Sequence, residues 1–151
     1  MAATRSATAT WEGDLLSGAG TVSSATTEFW SDLPTSWGAR TEAPGGKTSP
    51  EEFLAAAHAS CFSMAFSNQL AKQGTPPERV EVRADVTADK REAGWTVISS
   101  HLTVRGWVSG ADEESFQAAA EAAKDGCPIS RALMGNVELS VDATLESAPA
   151  E

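Results

Sequence analysis

Cys61 and Cys127 are the two residues of this chain best able to do covalent chemistry, and it has no other cysteine. Three readings compete for them. As small apolar residues they would be inert, since free cysteine is among the most buried residue types. As metal ligands they lack companions: there is no CxxC or HxxxH pattern, and His58, three residues before Cys61, is a core or locally bonded residue more often than a ligand. As nucleophiles they need a stabilised thiolate, hence a fixed cation, and a cation in an apolar setting needs an orienting carboxylate. Arg40 is a candidate cation and Glu51 a candidate acid. Glu52 is explained by a helix-capping role, and Glu51 could simply favour the positive end of the helix, but it is the freer of the two to serve a site. Cys127 precedes Pro128 at the start of an expected helix, where backbone N–H groups favour negative charge and lower a thiol pKa.

The elements that must hold these residues follow from patterning. Thr8–Trp11 and Thr21–Ser23, separated by turn residues, predict a hairpin, with Phe29 and Trp30 available for a third strand. Asp32 to Lys47, rich in Pro and Gly, predicts an irregular loop carrying Arg40. Ser49-Pro50-Glu51-Glu52 predicts a capped helix over 50–73, with Phe53, Ala57, Cys61 and Met64 on one face and Gly74 as its stop. Strands are expected over 80–89 and 95–108 with a turn at Glu92-Ala93-Gly94. A helix is expected over 112–124, burying Phe116, Ala120 and Ala123 and capped by Gly126, and a short helix after Cys127. A last strand alternates through Val137, Leu139, Val141 and Ala143, and the tail after Leu145 reads as frayed. Strands, helix, strands, helices, strand is the order of one α+β domain over 1–151, with N-terminal strands at about 4–30 and the C-terminal strands and helices at 79–145.

Composition excludes several classes. The 151 residues carry 11 Lys+Arg against 21 Asp+Glu, a formal charge of −10, which argues against nucleic acid and against an anionic membrane surface. With 41% hydrophobic residues the chain is not disordered. No apolar run approaches the length of a membrane helix, and the first residues lack a secretory pattern. Two cysteines are too few for a secreted disulfide scaffold, so a cytoplasmic protein with resting thiols is expected.

The run Thr48-Ser49-Pro50-Glu51-Glu52-Phe53-Leu54-Ala55-Ala56-Ala57-His58-Ala59-Ser60-Cys61-Phe62-Ser63-Met64-Ala65 resembles the signature of the OsmC/Ohr family of thiol-dependent hydroperoxide reductases. Trp11-Glu12-Gly13-Asp14, Gly20-Thr21-Val22-Ser23 and Ala123-Lys124-Asp125-Gly126-Cys127-Pro128-Ile129-Ser130 resemble the OsmC branch, so the likeness spans about Thr8 to Leu145. The resemblance implies an OsmC-like fold, antiparallel sheets packed around a long central helix, in an intertwined homodimer. It implies that Cys61 is the peroxidatic cysteine, that Cys127 resolves it by disulfide formation, and that Glu51 pairs with the site arginine. Arg40 is the choice for that arginine, because the OsmC branch places it in the loop before the helix. The implied substrate is an organic hydroperoxide and, more weakly, hydrogen peroxide. The implied reductant is an external dithiol, on a lipoylated protein or a small thiol, with no cofactor and no metal.

Spacing adds a constraint. Glu51 and Cys61, ten residues apart on one straight helix, would be separated by about 15 Å and turned to different faces. Either the first helical turn bends away or the arginine and acid meet the thiol across a subunit interface. The helix is apolar on most faces, which favours the dimer. Phe53, Phe62, Met64 and Trp37 could line a pocket for the organic group, or could equally be core. The alternative function is a slow-turnover redox sensor or ligand-binding protein using the same cysteine pair.

Overall fold

The computed structural model describes residues 1–147. They form two compact units, Met1–Phe53 and the residues from Leu54 onward.

In the first unit, β1 (Ala7–Glu12), β2 (Ala19–Ser24) and β3 (Leu33–Thr35) form an antiparallel sheet in that order. The expected hairpin is present, with Thr10 opposite Thr21. The third strand is not at Phe29 and Trp30. Glu28 and Asp32 take left-handed backbone conformations, which breaks any extended run between them, and Phe29 is left 88% exposed. Trp30 instead stacks on Phe53 with ring centroids 5.2 Å apart. The expected irregular loop also contains structure: β3, and then α1 (Trp37–Thr41), capped by Ser36, whose Oγ accepts from the Ala39 N–H at 3.1 Å.

Helix α2 (Pro50–Lys72) begins where the sequence signals it, with the Glu52 N–H donating to Ser49 Oγ at 3.2 Å. It ends just before Gly74, whose φ of +84° suits a left-handed stop. Its helical span includes both Glu51 and Cys61.

The second unit packs the rest of α2 on a three-stranded sheet. β4 (Arg79–Arg91) and β5 (Gly94–Trp107) form a long hairpin, and β6 (Glu138–Glu146) pairs with β5 in parallel. The α+β class is as expected, but this sheet is mixed rather than antiparallel. Its cause is the connection: α3 (Glu113–Gly126) and α4 (Pro128–Leu133) carry the chain from the end of β5 back to the start of β6, the crossover that parallel neighbours need. Gly126 is the last residue of α3, not its cap; Cys127 ends α3 and begins α4. The last strand extends one residue past Leu145, and the remainder of the expected frayed tail, 148–151, lies outside the described residues.

The core is built from Phe62, Phe66 and Leu70 of α2, Leu102 and Val104 of β5, and Phe116, Ala119, Ala120 and Ala123 of α3. Phe66 stacks on Phe62 at 5.7 Å and meets Phe116 edge-on at 5.0 Å. Burying each such ring contributes about 1.5–3 kcal/mol. The buried stripe of α2 is therefore His58, Phe62, Phe66 and Leu70, one turn apart each. Ala57 and Met64, which recur with Phe53 and Cys61 at helical spacing, are exposed, Met64 by 66%. A helix apolar on most faces does not announce its phase, and the large rings decide it.

Candidate active site

Four side chains singled out by the sequence fall into two contacting pairs. The first pair lies in the Met1–Phe53 unit. Arg40 projects from the last turn of α1 and donates through Nε to Glu51 Oε1 at 2.8 Å. Their side chains are 31% and 10% exposed. The guanidinium carbon sits 5.8 Å from the centre of the Trp37 ring, a cation–π distance. Glu51 Oε2 is buried and has no hydrogen-bond partner among the described residues. The acid thus grips the arginine with one oxygen only.

Arg40 borders an apolar cavity of about 700 Å³, walled by Trp11, Leu15, Val22, Trp30, Trp37, Pro50 and Phe53. Of the residues expected to line a pocket, Trp37 and Phe53 do so. Phe62 does not, because it is fully buried in the core of the second unit.

The second pair is Cys61 and Cys127, both free thiols. Cys61 is half-buried and Cys127 fully buried. Burial pushes the Cys61 thiol above its ordinary pKa, the Ile129 backbone N–H draws it back, and the Cys127 side chain, hydrogen-bonded to it, adds to the rise. The donor at the start of α4, expected to serve Cys127, therefore serves Cys61.

Sequence reasoning treated His58 as a structural residue and missed its partners. The ring is fully buried, with Nδ1 2.6 Å from Ser100 Oγ and Nε2 2.7 Å from Ser130 Oγ. Burial lowers its pKa, so the ring is neutral, with one nitrogen donating and the other accepting. The signal was available: Ser100 is in phase with Leu102 and Val104 on the inward face of β5, and a serine at a core position requires a partner. Among the described residues, no three His, Cys, Asp or Glu side chains are grouped to hold a metal ion.

Residues 43–142 match the OsmC-like protein family. The chain belongs to the OsmC family. Among its relatives, it is 39% identical over 137 residues to peroxiredoxin OsmC of Escherichia coli, covering 91% of this chain and 93% of the relative. It is 30% identical over 105 residues to an organic hydroperoxide resistance protein-like protein of Staphylococcus epidermidis, covering 67% and 72%. The crystal structure of the organic hydroperoxide resistance protein OhrB of Bacillus subtilis superposes with a TM-score of 0.72 at 25% identity, covering 92% of this chain and 98% of that one. An OsmC-like protein from Mycoplasma pneumoniae, at 14% identity and TM-score 0.72, shares the fold. In this OsmC-family chain the half-buried Cys61 is the thiol a solute can reach, and the buried Cys127 is its immediate neighbour.

Proposed function

We propose that this chain is a cysteine-based peroxidase that reduces organic hydroperoxides, and more weakly hydrogen peroxide, to alcohols. The observation that carries the reading is the contact between a reachable Cys61 and a buried Cys127. It is supported by the names of two relatives, a peroxiredoxin and an organic hydroperoxide resistance protein-like protein.

In the first step the Cys61 thiolate attacks the terminal peroxide oxygen. The O–O bond breaks, the sulfur gains a hydroxyl as sulfenic acid, and the alkoxide takes up a proton and leaves as the alcohol. In the second step the Cys127 sulfur attacks that of Cys61. The S–S bond forms, the S–O bond breaks, and the hydroxyl leaves as water with the proton from Cys127. An external dithiol, on a lipoylated protein or a small thiol, then returns both cysteines to thiols as it is itself oxidised.

Arg40 supplies positive charge for the thiolate and the departing alkoxide, and Glu51 orients it. The working protein in this reading is a homodimer in which the Arg40–Glu51 pair serves the partner's thiol, a reading supported by the ten residues that separate Glu51 from Cys61 in a helical segment. The thiolate-stabilising charge that offsets the burial of Cys61 then comes from that pair. The apolar walls beside Arg40 fit a hydrocarbon group on the peroxide better than a second hydroxyl. A cytoplasmic setting, where thiols rest reduced between turnovers, suits this cycle.

The test is turnover of cumene or tert-butyl hydroperoxide with and without a dithiol such as dihydrolipoate. Fast multiple turnover supports the peroxidase. One oxidation that stops points to a sensor, and unreactive thiols point to inert core cysteines.

A further inference from the structure

His58 sits one helical turn before Cys61 on α2, and Ser130 sits one turn after Cys127 on α4. Their side chains meet at 2.7 Å, and both are fully buried. The other face of the imidazole is fixed to β5 through Ser100. We propose that His58 and Ser130 are positioning residues for the resolving step: their hydrogen bond holds α4 against α2 so that Cys127 stays within reach of the oxidised Cys61.

α4 gives this bond its importance. It has only six residues, and the residue that caps its start, Cys127, makes no side-chain capping bond. Pro128 follows with no N–H to give. Helices this short are not stable by themselves and depend on tertiary ties. The His58–Ser130 bond is a directional tie from the cysteine-bearing segment to the helix that carries Cys61. Its cost argues the same way. Apolar residues of like shape would fill this space without desolvating a ring and two hydroxyls, so the polar bridge adds geometry more than stability. The lowered pKa of the ring agrees, because a neutral imidazole can both accept and donate between two hydroxyls.

The inference rests on the peroxidase reading, and the chemistry it touches is the second step above, in which Cys127 displaces the sulfenic hydroxyl as water. The test is single-turnover reaction of the full chain with one equivalent of cumene hydroperoxide. Sulfenate is followed by dimedone trapping and the disulfide by loss of free thiol. Ser130→Ala removes the tie. His58→Gln keeps a polar group at the reach of Nε2, towards Ser130, whereas His58→Asn keeps one only at the reach of Nδ1, towards Ser100.

The expected result is that Ser130→Ala and His58→Asn slow disulfide formation about tenfold, the worth of one lost buried hydrogen bond, with a smaller change in sulfenate formation. His58→Gln should resolve close to the wild-type rate. If Ser130→Ala resolves as fast as wild type, or if the two His58 variants behave alike, the positioning role is overturned. The His58 comparison decides alone should Ser130→Ala fail to fold. A wild-type protein that forms neither sulfenate nor disulfide overturns the peroxidase reading itself, a different result from normal wild-type resolution with unaffected variants.

Discussion

Arg40 Nε donates to Glu51 Oε1 at 2.8 Å while Glu51 Oε2 stays buried and unpartnered, so the acid holds the arginine at a single point. Removing the cation should therefore cost more than removing its support. Arg40→Ala should lower kcat/KM about a hundredfold, the usual effect of deleting one charge-stabilising donor. Glu51→Ala should lower it about tenfold, as a loss of orientation. Because both act through one contact, the double variant should be no worse than Arg40→Ala alone in steady-state assays.

Cys127→Ser should leave the first chemical step and remove the second. One equivalent of alcohol should form per protomer, and Cys61 should then stall as a sulfenate detectable by mass spectrometry. Cys61→Ser should form no alcohol above the uncatalysed rate.

His58 couples stability to pH. Its folded pKa lies below the unfolded value near 6.5, so the unfolded chain binds the extra proton as pH falls through that value. The contribution is fully present above about pH 6.5 and is lost on acidification. Urea midpoints should be lower at pH 5.5 than at pH 7.5, and His58→Gln should shrink that difference.

Gly106 lies on the inward face of β5 beneath Phe116. A Cβ there would stand 2.6 Å from Phe116 Cε2 and 2.7 Å from Cζ, and that ring is itself locked edge-on against Phe66. Gly106→Ala should cost about 1–3 kcal/mol by overpacking. Gly38→Ala, in α1 with nothing within 4 Å of the new methyl, should be neutral or stabilising by up to about 1 kcal/mol. Denaturant titration separates the two.

The proposed shared site requires self-association. The protein should sediment at twice its 15.7 kDa chain mass at micromolar concentration, and a monomer there would remove the argument for a shared site.

Local signals carried much of this structure. The start and stop of α2 were legible because Ser49, Pro50 and Gly74 each act on their own neighbours. The Arg40–Glu51 and Cys61–Cys127 pairs were legible because thiolate chemistry demands a cation and an acid, and because the flanking motifs are specific. Long-range choices were not. Nothing within 137–145 says whether that strand lies parallel or antiparallel to β5, since its direction is set by the crossover through α3 and α4. The phase of α2 was hidden because Ala57 and Met64 suit a core as well as Phe62 and Phe66 do. The Ile129 N–H was invisible because a backbone donor has no residue type.

The most direct measurement is peptide mapping of the reduced protein after one equivalent of cumene hydroperoxide, with the alcohol quantified in the same sample. One cumyl alcohol and one Cys61–Cys127 disulfide per peroxide consumed is the expected result. Peroxide left intact, with both thiols still free, would contradict it.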